Sequence, residues 1–171
     1  MFQVRQSIYE ALTTPHQVDT FSTQELNPII AELDVSAVAL DGDGVLAAHG
    51  ATELSQESVE TVRNFQELGL RVCLISNNPH RSVSLARAEQ LNISDVSVCV
   101  NKTSALLGFC MRERVNPQHC ALIGDRKSDV LFAKLAGSHA IRVVGGLGET
   151  TFDTYIGNPI NKFGKYLLGV S

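Results

Sequence analysis

The chain has 171 residues, of which 44% are hydrophobic and 19% are charged, a composition typical of one soluble globular domain. A net charge of −4 without any basic run argues against a nucleic-acid partner, because phosphates require clustered lysines and arginines. No apolar run approaches the roughly 20 residues of a membrane-spanning helix. The first residues do not resemble a secretory leader, so we expect a cytoplasmic protein with no transmembrane segment.

The predicted secondary structure alternates between strands and helices. Helix-start residues at Ser22 and Thr23 precede a first helical segment at 26–33. Five short apolar runs predict strands buried on both faces, at 35–40, 70–75, 96–100, 120–123 and 140–144. Helical spacing of apolar residues predicts helices at 55–68, 81–91, 103–114 and 128–136, and a last one around 163–168.

This alternation predicts an α/β fold, a doubly wound parallel sheet of about five strands with helices on both faces. We expect a single domain over residues 1–171, with its core at about 35–150 and helical extensions at both ends. The segments that follow the first and second strands are too short to hold an inserted cap domain. In such a sheet, ligands bind where the strands end.

Polar side chains follow four of the predicted strands. They are Asp41 and Asp43 after the first, Ser76 and Asn77 after the second, Lys102 after the third, and Asp125 and Asp129 after the fourth. Two carboxylates 4 Å apart repel by about 4 kcal/mol at an effective dielectric constant of 20, so such a cluster needs a cation or a proton. Carboxylate oxygens suit Mg²⁺. Taken singly, these residues have structural alternatives, since Asp-Gly pairs form turns and Asp129 could stabilise a helix N-terminus.

The residues Asp41-Gly42-Asp43-Gly44-Val45, Ser76, Lys102 and Gly124-Asp125-x-x-x-Asp129 follow one another in the order of four motifs. In this order they resemble the haloacid dehalogenase-type (HAD) phosphohydrolases over about residues 35–150. Within that superfamily, the run 75–79, Ile-Ser-Asn-Asn-Pro, is similar to the YqeG-like branch, which includes phosphatidylglycerophosphate phosphatases. The chain departs from that branch at Gly44-Val45, where the branch has Asn-Thr, and at Thr103, where it has proline.

The resemblance implies a capless, Mg²⁺-dependent phosphatase that forms an aspartyl-phosphate. Asp41 would be the nucleophile and Asp43 the general acid and base. Ser76, Asn77 and Lys102 would bind the phosphoryl oxygens. The metal ligands would be Asp41, the carbonyl of Asp43, and Asp125, while Asp129 would hold a bound water or Lys102.

Four further residues, His80, Arg81, Arg126 and Lys127, follow the second and fourth motifs directly. We expect them at the rim of the site, where they would bind a second anionic group of the substrate. A site without a cap should be open, which suits a phosphate on a large carrier, with phosphatidylglycerophosphate at a membrane surface as the leading substrate.

Two other functions fit the same motifs. One is a phosphatase for soluble or protein-bound phosphate. The other is a non-catalytic phosphate-binding or regulatory domain, such as a receiver that is phosphorylated on aspartate. Receivers place the acceptor on the third strand and lysine on the fifth, whereas this chain has Asn101-Lys102 and Val144-Gly145 at those strand ends, which disfavours the receiver.

Overall fold

The computed structural model describes residue 10 and residues 12–145. Its strands are β1 (Gln17–Val18), β2 (Ala37–Asp41), β3 (Arg71–Ser76), β4 (Asp95–Val98), β5 (Cys120–Gly124) and β6 (His139–Val143). Its helices are α1 (Thr23–Glu32), α2 (Gln56–Glu67), α3 (Arg81–Gln90), α4 (Lys102–Glu113) and α5 (Lys127–Ala136), with a 3₁₀ turn at Pro117–His119.

The strands form one parallel sheet in the order β1-β6-β5-β2-β3-β4. The central strand β2 is buried at every position and pairs with β3 on one side and β5 on the other. Asp41 lies beside Ile75, the residue before the end of β3, so the ends of these two strands lie side by side. The doubly wound parallel sheet predicted from the sequence is confirmed.

Helices cover both faces of the sheet. On one face Leu26 of α1, Phe65 of α2 and Leu91, which follows α3, belong to one core with Leu40 and Leu74 of the sheet. On the other face side chains of α4 and α5 complete a second core, in which the buried residues include Ala37, Ala39, Leu106, Phe109, Val130 and Ala133. Burying one such large apolar side chain stabilises the fold by about 1.5–3 kcal/mol. The two cores hold β2 rigidly in the middle of the molecule.

The structure differs from the sequence prediction at both edges of the sheet. β1 was not predicted, because two residues are too few to show a periodicity and only pairing with β6 makes them a strand. The third predicted strand, 96–100, begins at Asp95 and ends at Val98, and Val100 is 91% exposed. The helix predicted around 163–168 lies outside the described residues.

The connections at the carboxyl edge of the sheet are short. Residues 42–55 join β2 to α2, and residues 77–80 join β3 to α3, and neither segment contains an inserted domain. Within 12–145, no cap is therefore present, as predicted. In the same part of the chain, no helix is long and apolar enough to cross a bilayer.

Candidate active site

The predicted site residues meet at the carboxyl edge of the sheet. Asp41 and Ser76 are the last residues of β2 and β3, and Lys102 is the first residue of α4. Asp125 lies between β5 and α5, and Asp129 lies in the first turn of α5. Ser76, Lys102 and Asp129 are each at most 2% exposed.

Asp41 is held at both of its carboxylate oxygens. Its Oδ1 accepts a hydrogen bond from the backbone N–H of Gly42 at 2.8 Å, and its Oδ2 lies 2.7 Å from Nζ of Lys102. Burial raises the pKa of the Asp41 carboxyl to about 7, although the Lys102 charge opposes that rise. One buried carboxylate is thus fixed in orientation at the end of the central strand.

Lys102 links two carboxylates. Its Nζ lies 2.7 Å from Asp41 and donates to Oδ1 of Asp129 at 2.7 Å. Burial disfavours the ammonium, but the charges of Asp41 and Asp129 outweigh burial and raise the pKa of Lys102 above its usual value. The other oxygen of Asp129 accepts from the backbone N–H of Arg126 at 3.2 Å, which caps α5. Lys102 is therefore a permanently charged group between Asp41 and the start of α5.

Three carboxylates are arranged as a candidate metal site. Asp41, Asp125 and Asp129 each offer one oxygen, and these atoms lie within 4.8 Å of one another. Among the described residues, the buried Oδ1 of Asp125 accepts no hydrogen bond, and Arg126 Nε lies 3.9 Å from it. Burial and the charge of Asp129 raise the pKa of Asp125. A buried carboxylate oxygen without a donor, beside two more carboxylates, fits a hard divalent cation such as Mg²⁺.

Gly44 allows this arrangement to form. Its φ of +80° lies in the left-handed region, which favours glycine. A Cβ added at Gly44 would lie 2.1 Å from Oδ2 of Asp125. The glycine after Asp43 thus brings the backbone of the first motif against the carboxylate of the fourth.

The carboxylate of Asp43 lies outside that cluster and has partners of its own. Its Oδ1 accepts from Nη2 of Arg87 at 2.8 Å and from the N–H of Gly50 at 3.0 Å. Its Oδ2 accepts from Nδ2 of Asn78 at 3.0 Å, and Nδ1 of His49 lies 3.7 Å away. Burial raises the pKa of Asp43, but the hydrogen bonds from Gly50, Arg87 and Asn78 and the Arg87 charge outweigh burial and lower it. Asp43 is therefore held in its ionised form.

The sequence analysis gave no role to two of these partners, Arg87 and Asn78, although Asn78 lies in the run 75–79. Asn78 is buried and also accepts from the N–H of His80 at 2.8 Å, whereas the predicted Asn77 is exposed. The sequence did contain a sign that Arg87 is buried, because helical spacing places it on the same face as Ser84, Ala88 and Leu91. All four side chains are buried. A charged residue on a buried helix face requires a buried partner.

The predicted rim residues divide into two groups. His80 and Arg81 at the start of α3, and Lys127 at the start of α5, are exposed. Arg126 is 19% exposed and lies beside Asp125, so it is closer to the carboxylate cluster than to the rim. Although no cap is present in the described part of the chain, Asp41 and Asp43 are 2% and 3% exposed, because residues 42–47 of the neighbouring loop are themselves buried.

Comparison with known proteins gives a family match for this chain. Residues 5–137 match the family model described as haloacid dehalogenase-like hydrolase. No curated protein matches the chain.

The fold resembles several solved structures. The 3-deoxy-D-manno-octulosonate 8-phosphate phosphatase from Moraxella catarrhalis is 24% identical over 58% of this chain and 63% of its own, with a TM-score of 0.47. The deoxy-D-mannose-octulosonate 8-phosphate phosphatase from Haemophilus influenzae is 19% identical over 54% of this chain and 60% of its own, with the same TM-score. The chain thus matches about three fifths of these two proteins. A hypothetical protein from Xanthomonas campestris is 21% identical over 68% of this chain and 69% of its own, with a TM-score of 0.57, a likeness of fold alone.

Proposed function

The chain belongs to the haloacid dehalogenase-like hydrolase family, and from that premise we propose that it is a Mg²⁺-dependent phosphomonoester hydrolase acting through an aspartyl-phosphate. The main support is the state of Asp41, a buried carboxylate oriented by Gly42 and Lys102 and adjoined by Asp125 and Asp129. Three carboxylates this close need cations, and a phosphoryl group is the substrate on which such a site acts together with Mg²⁺.

In the proposed first step, one oxygen of Asp41 attacks phosphorus and the bond from phosphorus to the leaving oxygen breaks. Asp43, which is ionised in the free enzyme, first takes up a proton from solvent or from the monoprotonated phosphate ester and then gives it to that leaving oxygen. In the second step water attacks phosphorus, its proton passes to Asp43, and the bond between phosphorus and Asp41 breaks. The donors around Asp43 favour its ionised form, which is the form that accepts the proton from water.

Other side chains would bind the phosphoryl group. Lys102 supplies a positive charge beside Asp41, and Ser76 ends the neighbouring strand, where its hydroxyl accepts from the N–H of Asn78 at 3.1 Å. Mg²⁺ held by Asp41, the carbonyl of Asp43, Asp125 and Asp129 would neutralise negative charge on the phosphoryl oxygens. Three helix N-termini, those of α3, α4 and α5, follow β3, β4 and β5 in sequence, and helix N-termini favour anions.

For the substrate, we propose a phosphate carried on a large molecule, with phosphatidylglycerophosphate first. The proposal is supported by the sequence resemblance at 75–79 and by the short connections 42–55 and 77–80, which leave no domain to enclose a small molecule. The exposed side chains of His80, Arg81 and Lys127 would then meet the diester phosphate of the lipid.

The test is phosphate release from a substrate panel, with micellar phosphatidylglycerophosphate beside soluble phosphomonoesters, each with Mg²⁺ and with a chelator. We expect Mg²⁺-dependent release, fastest from the lipid. Release from no phosphomonoester would refute the phosphatase. Faster release from a soluble ester would refute the lipid and leave a phosphatase for soluble substrates.

Arg81→Ala separates rim contacts from the core of the site. We expect it to lower kcat/KM on the lipid about ten- to a hundredfold, since a hydrogen bond to a charged group contributes about 1.5–3 kcal/mol. Hydrolysis of a small aryl phosphate, which has no second anion, should hardly change. The matched control is Arg71→Ala, because Arg71 is 64% exposed at the opposite end of β3. Equal losses on both substrates would place Arg81 in the core of the site or the fold.

Metal binding is testable without turnover. We expect Mg²⁺ to raise the melting temperature, since a ligand that binds only the folded state at ten times its Kd adds about 1.4 kcal/mol. Asp125→Ala should abolish that rise, because it removes the oxygen that has no hydrogen-bond donor. In the control Asp95→Ala, which breaks the pair of Asp95 with Arg112 away from the site, the rise should persist. An equal Mg²⁺ response of Asp125→Ala and the wild type would exclude Asp125 as a ligand.

A further inference from the structure

Arg87 joins the Asp43 carboxylate to the loop that follows the first motif. Its side chain is completely buried in α3. Nη2 donates to Oδ1 of Asp43 at 2.8 Å and to the carbonyl of Ala48 at 3.1 Å, and Nε donates to the carbonyl of Ala51 at 2.8 Å. One guanidinium therefore holds a carboxylate and two backbone carbonyls, all more than 30 residues away in sequence.

The cost of this burial argues against a role in packing alone. An apolar side chain can replace a buried ion pair at little cost or even with a gain in stability. Arg87 also keeps Nη1 buried without a hydrogen-bond partner among the described residues. A buried unpaired donor is unfavourable, so the arginine has to be explained by what its other nitrogens do.

The first motif is shaped around this guanidinium. A Cβ added at Gly42, between the two aspartates, would lie 2.9 Å from Nη1 of Arg87 and 3.6 Å from Oγ of Ser76. A side chain at this position would force the guanidinium to shift. The glycine between Asp41 and Asp43 and the arginine of α3 thus form one packed unit with the end of β3.

We propose that Arg87 is a positioning residue, which holds the Asp43 carboxylate and the loop 48–51 in one arrangement so that Asp43 meets the leaving oxygen in the correct orientation. This inference rests on the proposed phosphatase function, in which Asp43 transfers the proton. The loop contributes as well, because the N–H of Gly50 donates to the same oxygen of Asp43 as Arg87 does. Displacing Arg87 would therefore release the carboxylate and the loop together.

The effect of displacing Arg87 on the rate depends on the leaving group of the substrate. An alkyl leaving group needs a proton as the bond to phosphorus breaks, whereas a nitrophenolate leaves readily without one. Misplacing Asp43 should therefore lower kcat/KM for an alkyl phosphomonoester far more than for p-nitrophenyl phosphate, whereas the later attack of water on the aspartyl-phosphate is common to both. A purely structural defect would lower the amount of active enzyme, and the loss would then be equal for both substrates.

The experiment measures kcat and KM of Arg87→Met and Arg87→Lys on p-nitrophenyl phosphate and on the alkyl phosphomonoester that the wild type hydrolyses fastest. We expect Arg87→Met to lower kcat/KM about ten- to a hundredfold on the alkyl ester and less than about threefold on the aryl ester, because kcat/KM covers the steps up to departure of the leaving group. Arg87→Lys keeps a charge and should recover part of the loss. The matched control, Arg112→Met, removes a two-bond arginine–carboxylate pair outside the site and should leave both rates unchanged.

A double variant gives a second test of whether Arg87 acts through Asp43. In an Asp43→Asn background, Arg87→Met should cause no further loss on the alkyl ester, because the group it positions is already gone. If the wild type is an active phosphatase, two results would overturn the positioning role. One is an equal loss of kcat/KM on the two esters. The other is a loss from Arg87→Met that multiplies with the loss from Asp43→Asn. A wild type that hydrolyses neither ester would instead refute the proposed function itself.

Discussion

Replacing Asp41 by asparagine is expected to abolish turnover, by about a thousandfold or more, while the fold remains intact. Asp41 is the oxygen nucleophile of the proposed reaction, and an amide oxygen at the same position cannot form the phosphoryl ester. The measurement is phosphate release together with intact-mass spectrometry after rapid quenching, in which the wild type should show a phosphoryl adduct and the variant none. Residual turnover above about a tenth of wild type would contradict the assignment.

Two further variants serve as controls for this result. Asparagine before Gly42 can deamidate to aspartate and restore activity, so Asp41→Ala should be measured beside Asp41→Asn. Asp95→Asn is the matched control, since Asp95 is also paired with a cation, Arg112, but lies away from the site. We expect this control to keep wild-type turnover.

The substitution Asp41→Asn should also change the stability of the fold in a pH-dependent way. Burial raises the pKa of Asp41 to about 7, so the folded protein binds more protons at this group than the unfolded chain between roughly pH 4 and pH 7. The contribution of Asp41 to stability is therefore present at low pH and is lost as the pH rises through 7. Measured without metal, the melting temperature of Asp41→Asn should rise relative to that of the wild type between pH 5 and pH 8.

Lys102→Met is expected to lower both activity and stability. Lys102 is 1% exposed and neutralises Asp41 and Asp129, so its removal leaves two buried carboxylates without their cation. Removing one partner of a buried ion pair costs about 3–5 kcal/mol in free energy of unfolding. The loss of positive charge beside the reacting phosphoryl group should lower kcat about a hundredfold or more. Chemical denaturation and phosphate release measure the two effects separately.

A double variant separates the two roles of this lysine. Lys102→Met with Asp129→Asn removes a carboxylate along with its cation, so part of the lost stability should return while activity stays low. Lys134→Met, which removes an exposed lysine of α5 bound to the carbonyls of Glu10 and Thr13, should change stability by about 1 kcal/mol or less. A Lys102→Met protein as stable as this control would show that the buried pairs contribute nothing to the fold.

The fold and the hydrolase family were predictable from the sequence because their signals are local. A strand buried on both faces is a continuous apolar run, and the polar residues that follow such runs must meet at one edge of a parallel sheet. Asp41, Ser76, Lys102, Asp125 and Asp129 do meet there. β1 was missed because its signal is not local, since its two residues become a strand through pairing with β6.

The surroundings of Asp43 were decided by tertiary structure alone. From the sequence, Asp41 and Asp43 are two similar carboxylates at the end of one strand, yet the first pairs with Lys102 and the second with Arg87. Arg87 lies 44 residues from Asp43, and it reaches that carboxylate only because α3 packs beside the loop after β2. Local patterns determine which residues lie at the edge of the sheet, whereas the approach of a helix from elsewhere in the chain determines the partner and the ionisation of each carboxylate.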